Sequence, residues 1–250
     1  MVVQSSPFPE HSFPSLYSVE SRHWWFQARV RLILWALQYK VPGFSSFLEI
    51  GCGTGFVISQ IAKYFPGKEY YASELYESAL VLAKSRNVDC RFKQLDATKM
   101  SDIDSYDCIG CFDVLEHIST DNIVIENIYA ALKPKSFLLV TVPQHKFLWS
   151  SIDSEAHHVR RYARHDLLMK LKNHGFHISY STSFVSLLLP LMYLQRRFLL
   201  SETNDSSNEF NVSKITNRFL SWIMAFELIL IKIGISLPFG GSLFVIAFKD

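Results

Sequence analysis

The sequence predicts an α/β protein with a doubly wound, mostly parallel sheet of seven strands. Apolar segments of strand length alternate with amphipathic segments of helix length through most of the chain, and each crossover between parallel strands must return over a face of the sheet. With 250 residues and 49% hydrophobic content, the chain can bury one large core. A single domain is therefore expected, with an N-terminal helical cap and a long apolar helical insertion before the last strand.

The predicted elements follow from residue patterns in chain order. The strands are FLEI, EYYASE, CRFKQLD, YDCIGCFD, SFLLVTV, FHISYST and GSLFVIAFKD. The core helices are GTGFVISQIAKYF, ESALVLAKS, NIVIENIYAAL and HDLLMKLKNHG, each with apolar residues at helical spacing. Before them, VRLILWAL predicts a cap helix packed by the aromatic residues of HWWF, and the three prolines among the first twenty residues predict an extended arm. The expected parts are the arm and cap helix (1–40), the cofactor-binding α/β core (41–183), the insertion (184–240) and the last strand (241–250).

The insertion contains two apolar runs, FVSLLLPLMYLQRRFLL and FLSWIMAFELILIKIGISLPFG, separated by the polar spacer SETNDSSNEFN. Pro190 and the Arg196–Arg197 pair interrupt the first run, and Glu227 and Lys232 interrupt the second. Neither run is therefore long enough to span a bilayer. Two interpretations stay open: a helical lid packed on the domain, or a membrane-surface element whose basic residues meet anionic headgroups.

Charge and cysteine usage exclude several classes of protein. Twenty-five basic and 23 acidic residues leave a formal charge of +2 without a basic block, so nucleic acid is not expected as a partner. Four cysteines without a disulfide-like spacing indicate a reduced, cytoplasmic setting, with a peripheral contact at the inner face of a membrane if the insertion binds lipid. Cys108 and Cys111 form a C-x-x-C, but an extended strand would point them to opposite faces, so we do not expect zinc.

The stretch FLEIGCGTGF places three glycines directly after a predicted strand. A dinucleotide turn needs G-x-G-x-x-G, and Gly51 and Gly53 fit that spacing, whereas Phe56 occupies the third glycine position. Glu49 would repel a pyrophosphate at the strand's end but would attract an ammonium or sulfonium group. The turn therefore favours a sulfonium cofactor over a nicotinamide dinucleotide.

Acidic residues stand at the C-terminal ends of four successive predicted strands: Glu49, Glu74, Asp96 and Asp113. These ends meet in one crevice, where open α/β sheets bind ligands. A single such acid is most often a helix cap, but four together indicate a binding pocket.

These residues resemble those of the class I S-adenosylmethionine-dependent methyltransferases, in the type-11 and ubiquinone-biosynthesis-like branch. LEIGCGTGF is similar to the first motif of that family, and FDVLEHI followed by ALKPKSFLLVTVP is similar to its later strand–helix–strand stretch, although Lys135-Ser136 replaces the usual Gly-Gly. The resemblance implies a Rossmann-like methyltransferase fold, S-adenosyl-L-methionine (SAM) as cofactor, Glu74 on the ribose, Asp96 near the adenine and Arg29 near the cofactor's carboxylate. The implied cofactor-binding residues are Glu49, Gly51, Cys52, Gly53, Gly55, Glu74, Asp96, Asp113 and Arg29.

Methyl transfer from a sulfonium is an in-line displacement, so the enzyme mainly orients the acceptor and excludes water. A base is also useful if the acceptor is a hydroxyl or a protonated amine. The candidate catalytic residues are Glu116 and His117 in DVLEHI and His158 in HVRRY. Asp113, Glu116 and His117 could also hold a divalent ion, but a site without metal is the favoured interpretation.

A second polar cluster, PQHKFLWSSIDSEAHHVRRYARHDL, follows the fifth predicted strand, where this fold binds its acceptor. Arginine there could clamp a phosphate or carboxylate of the substrate, or it could pair with Asp153 or Glu155 and brace the loop. The expected acceptor is a small molecule, a sugar or a lipid-linked group; the alternatives are a non-catalytic membrane-surface module and an NAD-dependent oxidoreductase. The candidate substrate-binding residues are His145, Trp149, Arg160, Arg161 and Tyr162.

Overall fold

The computed structural model describes residues 7–196 and 212–250. Its centre is a seven-stranded sheet in the order β3-β2-β1-β4-β5-β7-β6. The strands from β3 to β5 pair in parallel, and β7 pairs antiparallel with both β5 and β6. The predicted doubly wound, mostly parallel sheet is confirmed. The strands are β1 (Ser46–Ile50), β2 (Glu69–Glu74), β3 (Arg91–Gln94), β4 (Tyr106–Phe112), β5 (Leu132–Pro143), β6 (His177–Phe184) and β7 (Ser242–Lys249).

Helices cover both faces of the sheet. Short 3-10 turns occur in the connections between elements, for example Leu115–His117 shortly after β4. The α-helices are α1 (Phe13–Val19), α2 (Trp24–Tyr39), α3 (Phe56–Tyr64), α4 (Glu77–Lys84), α5 (Asp121–Ala131), α6 (Ser151–Glu155), α7 (Arg164–Asn173), α8 (Leu189–Leu194) and α9 (Lys214–Lys232).

The two faces of the sheet carry separate apolar cores. Cys108 belongs to the cluster that contains α2, α3 and α9 residues, and Cys111 belongs to the cluster formed with α5 and α7. Both thiols are completely buried. The two cysteines of the C-x-x-C therefore lie on opposite faces, as the alternation of strand side chains predicts.

The N-terminal arm differs from the prediction of an extended segment. From Glu10 onward it is helical, first as a 3-10 turn and then as α1. Pro14 lies in the first turn of α1, where proline is tolerated because that amide has no intrahelical acceptor. The prolines were thus compatible with a helix start, while residues 1–6 lie outside the described part of the chain.

The insertion contributes α8 and α9, and α9 packs against the cap helix α2. The side-chain oxygen of Asn217 accepts a hydrogen bond from the Trp24 backbone N–H at 2.8 Å, which joins the start of α9 to the start of α2. Among the described residues, no helix combines the length and the apolarity needed to traverse a bilayer. Arg197 and the spacer SETNDSSNEFN lie outside the described residues.

Candidate active site

The glycine turn joins β1 to α3 through left-handed backbone positions. Gly51 has φ +66° and Gly55 has φ +73°, a conformation that L side chains rarely adopt. A Cβ on Gly51 would lie 2.5 Å from the Val114 side chain, and one on Gly55 would lie 2.8 Å from the Cβ of Ala83. The glycines are therefore required both by backbone conformation and by space.

Glu74 ends β2 beside this turn. Its carboxylate accepts hydrogen bonds from three backbone N–H groups, those of Gly53 at 2.8 Å, Leu75 at 2.7 Å and Tyr76 at 3.2 Å. Burial raises the pKa of Glu74, and these three donors oppose that rise. Glu74 thus fixes the turn against the second strand, and its contact with a ribose stays a prediction.

Glu49 lies in β1, only 2% exposed, and its Oε2 has no hydrogen-bond partner among the described residues. Burial raises the pKa of Glu49 to about 8, while the nearby Arg29 guanidinium lowers it. A buried, incompletely satisfied carboxyl group is costly unless something compensates it. A bound cation at the end of β1 would supply that compensation.

The cap helix reaches the crevice through Arg29, which forms an ion pair with Asp113 directly after β4. The guanidinium carbon lies 4.6 Å from the centre of the Trp25 ring, and the Thr141 hydroxyl donates to Asp113 at 3.1 Å. Trp25 and Thr141 therefore hold the pair from both sides. Arg29 occupies the predicted region, and its contact with a cofactor carboxylate stays a prediction.

The other predicted cofactor residues have clear local roles. Asp96 follows β3 and accepts from the Thr98 backbone N–H at 2.9 Å and its hydroxyl at 2.7 Å. Partial burial disfavours its charge, but these hydrogen bonds outweigh burial and hold the pKa of Asp96 below its usual range. The Cys52 backbone N–H donates to the Ser73 carbonyl at 2.9 Å, and burial raises the pKa of its thiol, so the thiol is not poised to react.

The N-terminal segment covers the glycine turn, and the sequence patterns did not reveal this. Glu20 accepts from the Thr54 hydroxyl and forms an ion pair with Arg86, whose Nε donates to the Thr54 carbonyl at 2.6 Å. The ring of Phe13 lies 5.7 Å from that of Tyr76 and would contact a Cβ on Gly53 at 3.9 Å. The segment thus lies against the glycine turn and is fixed there by Glu20 and Phe13.

Glu116 and His117 lie on the 3-10 turn after β4. Glu116 is 1% exposed, and neither carboxyl oxygen has a hydrogen-bond partner in the described part of the chain. Burial and the neighbouring Asp113 raise the pKa of Glu116 well above its usual range. Burial and the nearby His158 lower the pKa of His117 to about 3, so His117 is neutral at physiological pH. Its Nδ1 lies 3.0 Å from the Pro7 carbonyl oxygen.

His158 comes from the loop after β5 and meets His117 edge to face, with 4.7 Å between ring centres. Its Nδ1 lies 2.9 Å from Oδ1 of Asp153, which also accepts from Arg161 Nε at 2.7 Å. Arg196, just beyond α8, donates to the other oxygen of Asp153 at 3.0 Å. Asp153 therefore fixes the His158 ring, a role that the sequence did not reveal because Arg196 is distant along the chain.

The structure groups Glu116, His117 and His158, with one ligand atom from each within 4.8 Å of the others. Two imidazoles and a carboxylate form a donor set that divalent transition metals use. Asp113, considered as a third ligand from the sequence, is bound to Arg29 instead. His158 thus takes the place that spacing along the chain had suggested for Asp113.

Three of the predicted substrate residues brace their own loop. The Tyr162 hydroxyl donates to Asp121 at 2.6 Å, and Arg160 pairs with the same carboxylate at 2.7 Å. Arg161, 5% exposed, is held by Asp153 and by the Gln144 carbonyl at 3.0 Å. Arg161 thus makes the pair with Asp153 that the bracing interpretation expected, whereas Arg160 and Tyr162 both bind Asp121.

His145 and Trp149 lie at the outer side of the same loop. The His145 ring stacks on Phe147 and Phe239, with ring centres 4.9 and 5.7 Å apart, and its Nε2 has no hydrogen-bond partner among the described residues. Trp149 is 40% exposed. The Trp149 side chain is therefore accessible to a ligand, whereas Nε2 of His145 is buried.

Comparison with known proteins agrees with this geometry. Residues 48–138 match the family model described as a methyltransferase domain. A malonyl-[acyl-carrier protein] O-methyltransferase of Bacillus cereus is 28% identical over 103 residues, 40% of this chain and 38% of that protein. The human EEF1A lysine methyltransferase 2 is 29% identical over 133 residues, 47% of this chain and 56% of that protein. The matches thus span less than two thirds of each of these relatives.

Solved structures share the fold at low sequence identity. The [4+2]-cyclase SpnF superposes with a TM-score of 0.65 at 18% identity, covering 96% of this chain and 93% of that one. A phosphoethanolamine N-methyltransferase 2 of Haemonchus contortus, in complex with phosphomonomethylethanolamine and S-adenosylhomocysteine, superposes with a TM-score of 0.58 at 20% identity, covering 87% of this chain and 52% of that one. Residues 48–138 are thus those of a methyltransferase domain, and the sheet order and the glycine turn around them are those of the class I, S-adenosylmethionine-dependent methyltransferase fold.

Proposed function

We propose that the protein transfers the methyl group of SAM to a hydroxyl or amine of a lipid-linked acceptor. The observation that carries this proposal is the Asp153–His158 pair, which is set beside Glu116 and His117 at the end of β4. That pair supplies a positioned proton acceptor in the crevice of a methyltransferase fold. The same residues would be unnecessary for a protein that only bound the cofactor.

The residues at the strand ends fit SAM. The donor, when bound, supplies an electrophilic methyl group on a sulfonium. Glu49 offers an incompletely satisfied buried carboxyl to the positive charge, and the glycine turn lets backbone approach the ligand closely. Three N–H donors occupy three of the roughly four lone-pair sites of the Glu74 carboxylate, which leaves one site, on Oε2, for a ribose hydroxyl. The N-terminal segment, which contacts the glycine turn through Phe13, would exclude water from the reacting atoms.

His158 is the proposed general base. Because its Nδ1 is engaged by the buried Asp153, the lone pair for the acceptor's proton is on Nε2. As a lone pair of the acceptor bonds to the methyl carbon, the acceptor's proton would move to Nε2 of His158, and the methyl–sulfur bond would break to leave S-adenosylhomocysteine. Glu116 and His117, which the structure groups with His158, would position the acceptor.

The approach of a lipid-linked acceptor is supported by the way the insertion meets the loop. Arg196 donates to the Leu148 carbonyl at 2.5 Å and to Asp153, so the end of α8 touches the residues that fix His158. The Tyr193 ring lies 6.1 Å from that of Phe147. An apolar chain could therefore lie along these aromatic side chains while its polar end reaches His158.

Transfer of a labelled methyl group tests the proposal. The protein is incubated with methyl-labelled SAM and either a chloroform–methanol lipid extract or a delipidated aqueous extract. Label in the lipid phase, lost in His158→Gln, is the expected result. If label appeared only in small molecules of the aqueous extract, the assignment of a lipid-linked acceptor would be wrong, but the assignment of methyl transfer would stand.

A second candidate is a membrane-surface binding module that does not turn over, favoured by the exposed apolar face of α9. Calorimetric titration with SAM and S-adenosylhomocysteine separates the two. Binding without label transfer to either extract would favour the module. If neither SAM nor S-adenosylhomocysteine bound, the proposal that the protein is a methyltransferase would be wrong.

A further inference from the structure

Helix α9 presents an apolar stripe to the outside of the molecule. Its members recur at intervals of three and four residues, which places them on one face of a helix. Their exposed fractions lie between 54% and 85%. The α9 stripe consists of Ile215, Phe219, Trp222, Phe226 and Ile229, together with Ile233 at the C-cap of the helix.

The opposite face of α9 is fixed in the core, so the stripe cannot turn inward. Met224, Leu228 and Ile231 are buried, and the fully buried Glu227 accepts from the Ser186 and Leu187 backbone N–H groups at 2.7 and 2.8 Å. Rotating the helix would break these hydrogen bonds and leave a buried carboxyl group unpaired. The outward orientation of the stripe is thus a consequence of the packing.

The charges on α9 indicate what covers the stripe. Lys214, Arg218 and Lys232 are the basic residues of the helix, and its acid, Glu227, points inward. The Arg218 guanidinium lies 5.4 Å from the centre of the Trp222 ring. Exposed aromatic and aliphatic side chains accompanied by basic residues are the composition of a helix that lies in a membrane interface.

A second copy of the chain is a poorer occupant. Antiparallel packing of two α9 stripes around a twofold axis would bring Lys214 of one copy toward Lys232 of the other. No acidic residue of α9 is exposed to neutralise these charges, since Glu227 is buried. An anionic lipid surface neutralises all three cations at once.

We propose that the α9 stripe docks the protein on the surface of a bilayer containing anionic lipids, with α9 lying in the plane of the interface. This docking does not depend on methyl transfer. It would hold the protein where a lipid-linked acceptor is found, with the stripe in the acyl-chain boundary and the three cations among the headgroups.

Vesicle flotation of the full chain tests the proposal. Vesicles of phosphatidylcholine alone are compared with vesicles of phosphatidylcholine and phosphatidylglycerol. The wild type is expected to float with the anionic vesicles, and Trp222→Glu/Phe226→Glu to lose at least about 100-fold in partitioning, because it removes two inserted rings and adds two charges. Lys214→Gln/Arg218→Gln/Lys232→Gln is expected to lose the preference for anionic vesicles, with about fivefold lost per cation.

A matched control places the same two new charges elsewhere. Val81 and Ile103 are 59% and 73% exposed and lie outside α9, so Val81→Glu/Ile103→Glu should float like the wild type. Circular dichroism and thermal unfolding check that each variant is folded. The proposal would be overturned if the wild type stayed in the unbound fraction. It would also be overturned if the Trp222→Glu/Phe226→Glu variant floated as well as the wild type. So would a dimer in sedimentation equilibrium that the same double substitution dissociates.

Discussion

His158 Nδ1 lies 2.9 Å from Oδ1 of Asp153, a carboxylate with no exposed surface. Burial by itself would raise the pKa of Asp153, but the hydrogen bond from His158 and the Arg161 and Arg196 guanidinium groups outweigh it and hold the pKa well below its usual range. Asp153 is therefore ionised and accepts a hydrogen bond from the Nδ1–H group of His158. The tautomer with a free Nε2 lone pair is the one that a general base requires.

Replacement of His158 by glutamine is expected to remove the base while keeping a polar side chain of similar size. The rate of methyl transfer should fall by about 10²- to 10⁴-fold, the usual contribution of a positioned base. Because His158 is not among the proposed SAM contacts, calorimetric SAM affinity should change by less than about threefold. Single-turnover transfer of labelled methyl measures the first effect.

His177→Gln is the matched control for that substitution. His177 begins β6, its side chain is 68% exposed, and its Nε2 pairs with Asp250 at 2.7 Å. Methyl transfer by this variant should equal that of the wild type. Equal rates for wild type and His158→Gln would contradict the assignment of the base.

Glu49 should couple SAM binding to pH. Its pKa is raised to about 8, chiefly by burial, so it is mostly protonated at pH 6.5 in the free protein. A bound sulfonium favours the ionised form and lowers that pKa, so binding releases a proton. SAM affinity should therefore rise with pH up to about 8, by at most about one order of magnitude per pH unit.

Calorimetry in buffers of different ionisation heat measures this release directly. At pH 6.5 the wild type should release up to one proton more than Glu49→Gln. Asp96→Asn is the control, because the pKa of Asp96 is already lowered and its removal should leave the proton release unchanged. Identical release by wild type and Glu49→Gln would assign the coupling to another group.

The ion pair between Glu20 and Arg86 should contribute more to stability than an exposed pair. Both side chains are largely buried, 6% and 11% exposed, so Glu20→Gln leaves a buried guanidinium without its counter-ion. The free energy of unfolding should fall by about 3 kcal/mol. Glu77 pairs with Lys84 at 3.5 Å with both side chains more than half exposed, and Glu77→Gln should cost less than about 1 kcal/mol.

Urea unfolding of the two variants measures the difference. If Glu20→Gln and Glu77→Gln have the same midpoint, the N-terminal segment is not fixed through Glu20. A loss confined to Glu20→Gln, together with weaker SAM binding, would mean that the covering segment supports the cofactor crevice.

Most of the fold could be predicted because strand and helix patterns are local. EYYASE coincides with β2 (Glu69–Glu74), and the acids Glu74 and Asp113 occur at or directly after strand ends, as a parallel sheet requires. The loop after β5 was less predictable. Its short helix α6 is held by the buried Asp153, whose partners come from outside that helix.

The site contacts that escaped prediction join residues far apart in the sequence. Arg29 meets Asp113 across 84 positions, and Glu20 meets Arg86 across 66. No periodicity or spacing encodes such pairs, because each charge alone resembles an ordinary surface residue. The acids at the strand ends were predictable since strand order alone brings them together.

Gly55 offers a test that separates backbone strain from steric overlap. An alanine there would adopt φ +73° and bring its Cβ to 2.8 Å from the Ala83 Cβ and 3.0 Å from its Cα. Gly67 has a similar φ of +78°, and a Cβ there would meet nothing within 4 Å. Gly67→Ala should therefore cost only the left-handed strain, about 1–2 kcal/mol.

Gly55→Ala should cost a further ~1–3 kcal/mol, because the Ala83 backbone must move to relieve the overlap. SAM binding should weaken in Gly55→Ala alone, since this glycine ends the cofactor turn and begins α3. Adding Ala83→Gly removes the closer of the two contacts and should restore part of that binding. Urea unfolding and SAM calorimetry on the three variants measure both effects, and equal losses in Gly55→Ala and Gly67→Ala would mean that backbone conformation alone selects glycine at position 55.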